Sequence, residues 1–186
     1  MTAMPSARLV ALTSHQLGLR LPEALELYVT AMGYPPGTAQ QRAPMWVGHM
    51  SRPGWRCVAA LDDEDRMLGI SYGYVGAPKQ WWHEQVHKGL ATALPPPAVR
   101  LWLEDYFELT ELHVRPMAQG RGLGEALLRG LLAEPAPAGR VLLSTPEGPS
   151  RAWRLYLRMG FHELLRNYRF SGDPRRFAVL GRELPL

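Results

Sequence analysis

One stretch in the second half of the chain constrains the fold strongly, because a predicted strand passes through a glycine-rich turn directly into a predicted helix. The strand ends in Glu111–Pro116 (ELHVRP), and the turn is Gln119–Gly124 (QGRGLG). The helix that follows carries leucines at helical spacing, at positions 123, 127, 128, 131 and 132. Glycines at such a junction let backbone N–H groups converge at the positive end of a helix. The stretch therefore predicts a strand–loop–helix unit that binds an anion, with phosphate as a good fit.

The glycine spacing excludes two common phosphate-binding motifs. A dinucleotide fingerprint, G-x-G-x-x-G, would need a third glycine where Glu125 or Leu127 stands. A P-loop would need a lysine directly after its last glycine, but the two lysines of the chain are Lys79 and Lys88. The loop therefore serves a different phosphate-containing ligand.

Two motifs in the right order resemble the GCN5-related N-acetyltransferase (GNAT) family. Gln119–Gly124 matches Q/R-x-x-G-x-G, the pyrophosphate-binding motif of that family, and the L-x-V-x-P sequence that ends at Pro116 precedes it. Ala152–Phe161 resembles the family segment A-x-x-L-Y-x-x-x-G-F, including the glycine that stops the helix. The resemblance covers roughly residues 55–170 and is far more specific than either motif alone.

Hydrophobic periodicity and turn signals predict one mixed sheet with helices on it. The predicted strands are residues 8–13, 55–61, 67–75, 106–114, 140–144, 161–170 and 177–182. The predicted helices are residues 21–32, 38–49, 78–94, 122–133 and 150–159. The resemblance implies a GNAT-type α/β (α+β) fold with a mostly antiparallel sheet of about seven strands. We expect one acetyltransferase domain over residues 1–186, with an irregular helical insert at about 76–105.

The resemblance implies an N-acetyltransferase that transfers the acetyl group of acetyl-CoA, its cosubstrate, to an amine by direct attack on the thioester. The backbone of the strand would pair with the pantetheine amides, and the N–H groups of the loop would hold the pyrophosphate. Tyr156 would protonate the departing thiolate, although it could instead belong only to the core stripe of its helix. Pro149 stands where the family often has an asparagine, so that contact is lost or supplied by a neighbour such as Ser150. The residues that would bind the cosubstrate are Leu112, His113, Val114, Gln119, Gly120, Arg121, Gly122, Leu123 and Gly124.

Two carboxylates on the fourth predicted strand are candidates for accepting the amine proton. Glu108 lies four residues before the leucine of L-x-V, where some members of the family carry their base. Glu111 lies nearer the reacting end but points to the opposite face of a regular strand. The period of the strand favours Glu108, whereas a bulge would change the parity and favour Glu111. Either carboxylate could instead pair with an arginine.

A rival motif is His83-Glu84-Gln85-Val86-His87, which matches H-E-x-x-H. On a helix it would place two imidazoles on one face for zinc and offer the glutamate as a base. Prolines 95–97 and a strand follow, whereas the matching zinc proteases take their third ligand from another helix. We interpret the match as coincidental and expect no metal. A zinc-dependent hydrolase and a non-catalytic acyl-CoA-binding protein remain the alternatives.

Composition narrows the class of protein. Hydrophobic residues make up 46% and charged residues 20%, which is enough for an ordinary core and excludes a disordered chain. The formal net charge of +4 comes from scattered arginines and does not predict nucleic acid as a partner. Cys57 stands alone, so a disulfide within the chain is excluded. We expect a cytoplasmic protein with a small-molecule or peptide amine as acceptor and no membrane partner; a homodimer stays open.

Overall fold

The computed structural model describes residues 6–186, which contain seven strands and seven α-helices. The strands are β1 (Arg8–Ala11), β2 (Arg56–Leu61), β3 (Met67–Val75), β4 (Tyr106–Val114), β5 (Arg140–Pro146), β6 (His162–Tyr168) and β7 (Phe177–Glu183). The helices are α1 (Ser14–Leu19), α2 (Leu21–Met32), α3 (Thr38–Met50), α4 (Trp81–Ala93), α5 (Pro96–Glu104), α6 (Leu123–Leu131) and α7 (Arg151–Arg158). No helix within residues 6–186 is long and apolar enough to cross a membrane.

The strands form one sheet in the order β1-β2-β3-β4-β5-β7-β6. Strand β2 pairs antiparallel with β1 and β3, and β7 pairs antiparallel with β5 and β6. Strands β4 and β5 run parallel, and helix α6 lies in the crossover connection that parallel neighbours need. The prediction of a mixed, mostly antiparallel sheet of about seven strands is confirmed.

The chain divides into two compact units, which we call the first and second units. The first unit contains the chain up to Tyr74 together with Glu111–Leu131. The second unit contains Val75–Thr110 and Leu132–Leu186.

In the first unit, helices cover both faces of β2 and β3. One face carries Cys57, Ala59, Ile70 and Tyr72 into a core with residues of α1, α2 and α3. On the other face, a Cβ at Gly69 would lie only 2.8 Å from the Leu127 side chain of α6. The glycine therefore lets α6 approach the sheet closely.

A buried histidine belongs to this core. His49 lies on α3, its Nδ1 is 3.0 Å from the hydroxyl oxygen of Tyr72, and its side chain is buried. Burial, and secondarily the charge of Arg52, lowers the pKa of His49 from the ordinary 6.5 to about 4. The imidazole is therefore neutral in the folded protein at neutral pH.

The lowered pKa of His49 predicts an acid-sensitive fold. Below pH 6.5 the unfolded chain binds a proton at His49 that the folded chain binds only near pH 4, so stability falls as the pH falls through this window. We expect His49 to account for up to about 3 kcal/mol of this loss. The carboxyl groups of Glu26, Asp62 and Glu147 also have a lowered pKa, so the stabilisation that they contribute is likewise lost on acidification.

Urea denaturation of the parent and of His49→Gln at about pH 7 and about pH 4.5 isolates the histidine. The variant should lose less free energy of unfolding between the two pH values than the parent does. Equal losses in the two proteins would contradict the prediction.

In the second unit, the segment predicted as an irregular insert contains two regular helices that are part of the core. Residues of α4 and α5, among them Trp82, Leu90 and Leu103, pack against Tyr106 and Val179 of the sheet. The prolines at 95–97 end α4 as predicted, but they also begin α5, because proline fits the first turn of a helix. No helix was predicted between these prolines and residue 106, where α5 lies.

The sequence analysis also missed the short helix α1. It begins at Ser14 with a capping box, in which Thr13 and Gln16 exchange side-chain to backbone hydrogen bonds. Strand β1 consequently ends at Ala11 rather than at residue 13. Six helical residues are too few to give a clear period, so only the capping box could have indicated this helix.

Candidate functional site

The glycine-rich turn of the first unit has the backbone that an anion site requires. Gly120 and Gly122 adopt left-handed φ angles of 76° and 77°, and α6 begins at Leu123. The first N–H groups of a helix have no carbonyl partner within that helix, and they lie at the positive end of its dipole. A Cβ built on Gly122 meets no atom within 4 Å, so the turn borders open space. These features suit the approach of a phosphate group.

The segment that leads into the turn is anchored from several sides. Gln119 Nε2 donates to the carbonyl oxygen of Val114 at 3.0 Å, which closes the loop across a short 3₁₀ turn. The backbone N–H and the Nε of Arg115 donate to the carbonyl oxygens of Leu68 and Met67 on β3, at 2.8 and 2.7 Å. These bonds fix the end of β4 against β3.

Arg115 also ties the loop to α2. Its guanidinium donates to both carboxylate oxygens of Glu26, at 3.1 and 2.7 Å. This hydrogen-bonded contact holds the pKa of the Glu26 carboxyl below its ordinary value. The sequence analysis did not single out Arg115, because only the fold brings it to Glu26.

The end of β4 in the first unit presents polar and apolar side chains on opposite faces. Val114 lies beside Gly69 and Leu127, toward α6. His113 faces the other way, and its ring contacts the ring of Tyr28 on α2 edge-on, with the centroids 5.0 Å apart. The alternation is that of a regular strand.

Glu111 and His113 meet on the face toward α2. Glu111 Oε2 lies 2.5 Å from His113 Nε2, and the two side chains are only 13% and 10% exposed. The sequence analysis considered only the backbone of His113, and treated Glu111 as a base or an arginine partner. The spacing E-x-H on a strand could have indicated this contact, since residues two apart share a face.

Glu108, the other predicted base, lies on the part of β4 that belongs to the second unit. It is 3% exposed, and Thr110 Oγ1 lies 3.5 Å from its Oε1. It stands opposite Leu142, the last residue of β5 in the register of the two parallel strands. Strand β5 then continues to Pro146 against β7.

The H-E-x-x-H segment lies on α4 in the second unit. His83 is buried, and its Nδ1 lies 3.0 Å from the hydroxyl oxygen of Tyr106, while His87 is exposed. Burial lowers the pKa of His83. A Cβ at Gly76 would lie 1.9 Å from the Tyr106 ring, so glycine at that position makes room for this ring. Within residues 6–186, no group of three or more histidine, cysteine or acidic side chains is arranged to hold a metal ion.

Tyr156 lies on α7 in the second unit. Its side chain is 6% exposed, and its ring packs against Phe161 with the centroids 5.5 Å apart. Ser150 caps the start of α7, where its Oγ accepts a hydrogen bond from the N–H of Trp153 at 3.0 Å. Ser150 was considered as a replacement for the asparagine that the family often has at position 149. Its side chain is instead hydrogen-bonded to the first turn of its own helix.

Three arginines recur along α7 at spacings of three and four residues. All three are exposed to solvent in the structure: Arg151, Arg154 and Arg158.

Comparison with known proteins identifies the family to which these features belong. Residues 24–161 match the model of the acetyltransferase (GNAT) family. A GCN5-like protein acetyltransferase of Mycobacterium tuberculosis is 48% identical over 203 aligned positions, which cover 96% of this chain and 98% of that protein.

Solved structures share the fold at low sequence identity. The ribosomal-protein-S18-alanine N-acetyltransferase of Escherichia coli aligns with a TM-score of 0.63 and 16% identity, covering 97% of this chain and 96% of that one. A phosphinothricin acetyltransferase of Sinorhizobium meliloti in complex with AcCoA gives a TM-score of 0.63 and 19% identity, covering 96% and 88%. These similarities concern the fold.

Proposed function

The chain belongs to the GNAT acetyltransferase family and is an N-acetyltransferase, and from this premise we propose that it acetylates an amine of a protein in the cytoplasm, with acetyl-CoA as the donor. We treat residues 1–186 as one acetyltransferase domain. The relative with 48% identity is named as a protein acetyltransferase, and it aligns over nearly the whole of both chains. A lysine side chain or an N-terminal amine of a protein is therefore the acceptor that we favour.

The observation that carries the proposal is the left-handed turn at Gly120 and Gly122, which opens α6 at the position of the family motif. The N–H groups of Gln119–Gly124 would hold the pyrophosphate of the donor. The open space beside Gly122 fits such a group, because an added Cβ would project into it. The donor supplies an acetyl group as a reactive thioester.

The edge of β4 beyond its pairing with β5 supports a second contact with the donor, at its pantetheine arm. The register of β4 with β5 ends at Glu108 and Leu142, although β5 continues for four more residues. Backbone groups of a strand beyond its paired segment can bond an extended ligand as an added strand. In this proposal the backbone of Leu112–Val114 pairs with the pantetheine amides.

The reaction also requires two proton transfers, which we assign to side chains. Tyr156 would donate its hydroxyl proton to the departing thiolate, and a carboxylate of β4 would take part in accepting the proton of the amine. Glu108 and Glu111 are the two carboxylates of that strand that suit this role. The deep burial of Glu108 makes it the less accessible of the two.

Release of free thiol from acetyl-CoA tests the proposal with three acceptors. They are a peptide with one internal lysine and a blocked N-terminus, the same peptide with a free N-terminus and an acetylated lysine, and a small amine such as phosphinothricin. We expect acetylation of one of the peptides, verified by mass spectrometry. Acetylation of the small amine alone would contradict the acceptor class, and donor binding without thiol release would favour a non-catalytic acyl-CoA-binding protein.

We also expect that zinc takes no part in the reaction. The segment supplies two imidazoles, fewer than the three protein ligands of a catalytic zinc site, and the Nδ1 of His83 is engaged with Tyr106. Purified protein should contain less than stoichiometric zinc, and strong chelators should leave acetyl transfer and thermal stability unchanged. Stoichiometric zinc that is lost in a His83→Ala/His87→Ala variant would contradict this expectation and restore the hydrolase alternative.

A further inference from the structure

We propose that Glu111 and His113 act as one proton-accepting pair for the amine, with the His113 side chain as a further functional residue. This inference rests on the proposed function, since it assigns a step of acetyl transfer. It goes beyond the family motif, which involves only the backbone of His113.

The geometry of the pair is that of a carboxylate that holds an imidazole. Side chains two residues apart on a strand share a face, and here Glu111 Oε2 and His113 Nε2 approach to 2.5 Å. Both side chains are mostly buried, so their attraction is screened less than it would be in water. A carboxylate in this position can stabilise positive charge that develops on the ring during a reaction.

The pair also fixes the orientation of the ring. Since Nε2 faces the carboxylate, the neutral ring carries its hydrogen there, and the lone pair that accepts a proton is on Nδ1. The edge-on contact with Tyr28 on α2 restricts rotation of the imidazole. An oriented imidazole of known tautomer is the form in which histidine serves as a general base.

Accessibility favours this pair over Glu108. An acceptor amine arrives from solution, and Glu111 and His113 are partly exposed whereas Glu108 is buried. Glu108 also lies close to the hydroxyl of Thr110 on its own strand. Glu108 is therefore better suited to a structural role within the second unit.

The protons balance as follows. A protonated amine first gives one proton to His113 Nδ1, and the positive charge that forms is stabilised by Glu111. The free electron pair of the nitrogen then forms the new carbon–nitrogen bond with the acetyl carbon, and the carbon–sulfur bond breaks. The second proton leaves the nitrogen as the sulfur is protonated. The products are the amide, the free thiol and one proton, which the pair returns to solvent.

The test compares Glu111→Gln, His113→Gln and the double variant with the parent, using the peptide that the parent acetylates. The kcat/KM of each protein is measured between about pH 6 and about pH 9, and CoA affinity is measured by calorimetry. His162→Gln is the matched control, because His162 is an exposed histidine on β6.

We expect each single variant to lose about 10²-fold in kcat/KM near neutral pH with CoA affinity unchanged, and the loss of the buried contact should lower thermal stability without unfolding the protein at the assay temperature. The double variant should lose no more than either single variant, because the two residues act as a unit. The loss should shrink toward pH 9, because a larger fraction of the amine then arrives already deprotonated. The control should match the parent throughout.

Three outcomes would overturn the pair. Single variants within twofold of the parent would remove both residues from the reaction, and losses that add in the double variant would make their roles independent. A loss of the acidic limb in Glu108→Gln alone would assign the proton to Glu108. A parent that binds acetyl-CoA but acetylates no amine would overturn the proposed function itself, and this result is recognised before any variant is made.

Discussion

Substitution of Gly122 by aspartate is expected to abolish binding of CoA in a protein that still folds. Gly122 has a φ of 77°, a conformation that aspartate adopts at a moderate cost, and an added side chain meets no atom within 4 Å. The fold should therefore tolerate the change. The new carboxylate, however, would stand where the pyrophosphate must approach the N-terminus of α6, so its charge would oppose that of the ligand. Calorimetric titration with CoA measures the loss.

A second glycine provides the matched control. Gly172 has a left-handed φ of 85° and equally open surroundings, but it lies in the turn after β6. Gly172→Asp should suffer the same backbone strain and retain the CoA affinity of the parent. Gly122→Ala separates the two effects at the loop, since it adds the Cβ without the charge. Parent-like affinity in a folded Gly122→Asp variant would contradict the assignment of the loop.

Local sequence signals were sufficient to predict most of the helices and strands. The boundaries of α2 and β4 were predicted to the residue, because each has a clear period and a clear stop. The confirmed family followed from two motifs whose spacing is set by the turn before α6 and the glycine stop after α7. Elements of this kind are determined by residues that are adjacent in the chain, so they can be predicted from the sequence.

Prediction failed where tertiary packing determines the local structure. Residues 98–104 became helical because Val99 and Leu103 of α5 are buried in the core of the second unit, although the prolines before them indicated only a break. The contact of His83 with Tyr106 likewise depends on tertiary packing. The two residues are 23 positions apart, and no local pattern could supply that contact.

In the candidate site, too, local sequence signals predicted some features, whereas tertiary packing determined the others. The loop and the strand that precedes it were predicted as an anion site from glycine positions alone. The choice between Glu108 and Glu111 was left to strand parity, which describes direction but neither burial nor partners. The contacts of Glu111 with His113, and of His113 with Tyr28, came only from the fold. These contacts are the reason that we now favour Glu111.

Removal of one hydroxyl, in Tyr156→Phe, is expected to lower kcat about 10²-fold with little change in CoA affinity. The ring packs against Phe161 within a buried stripe of α7, and phenylalanine preserves this contact. Only the proton donor is lost. A comparable free thiol has a pKa near ~8.5, so protonation of the leaving group assists at neutral pH without being obligatory. The defect should therefore diminish as the pH rises above that value.

Tyr168→Phe is the matched control for loss of a tyrosine hydroxyl in the same unit. The Tyr168 hydroxyl donates to the carbonyl oxygen of Gln85 at 2.8 Å, so its removal should cost about 1 kcal/mol of stability and leave kcat unchanged. If Tyr156→Phe instead reproduces the parental rate at every pH and loses only stability, Tyr156 is a core residue of α7. The thiolate would then leave unassisted, which is chemically acceptable for so weak a base and would confine the catalytic contribution of this chain to the acceptance of the amine proton.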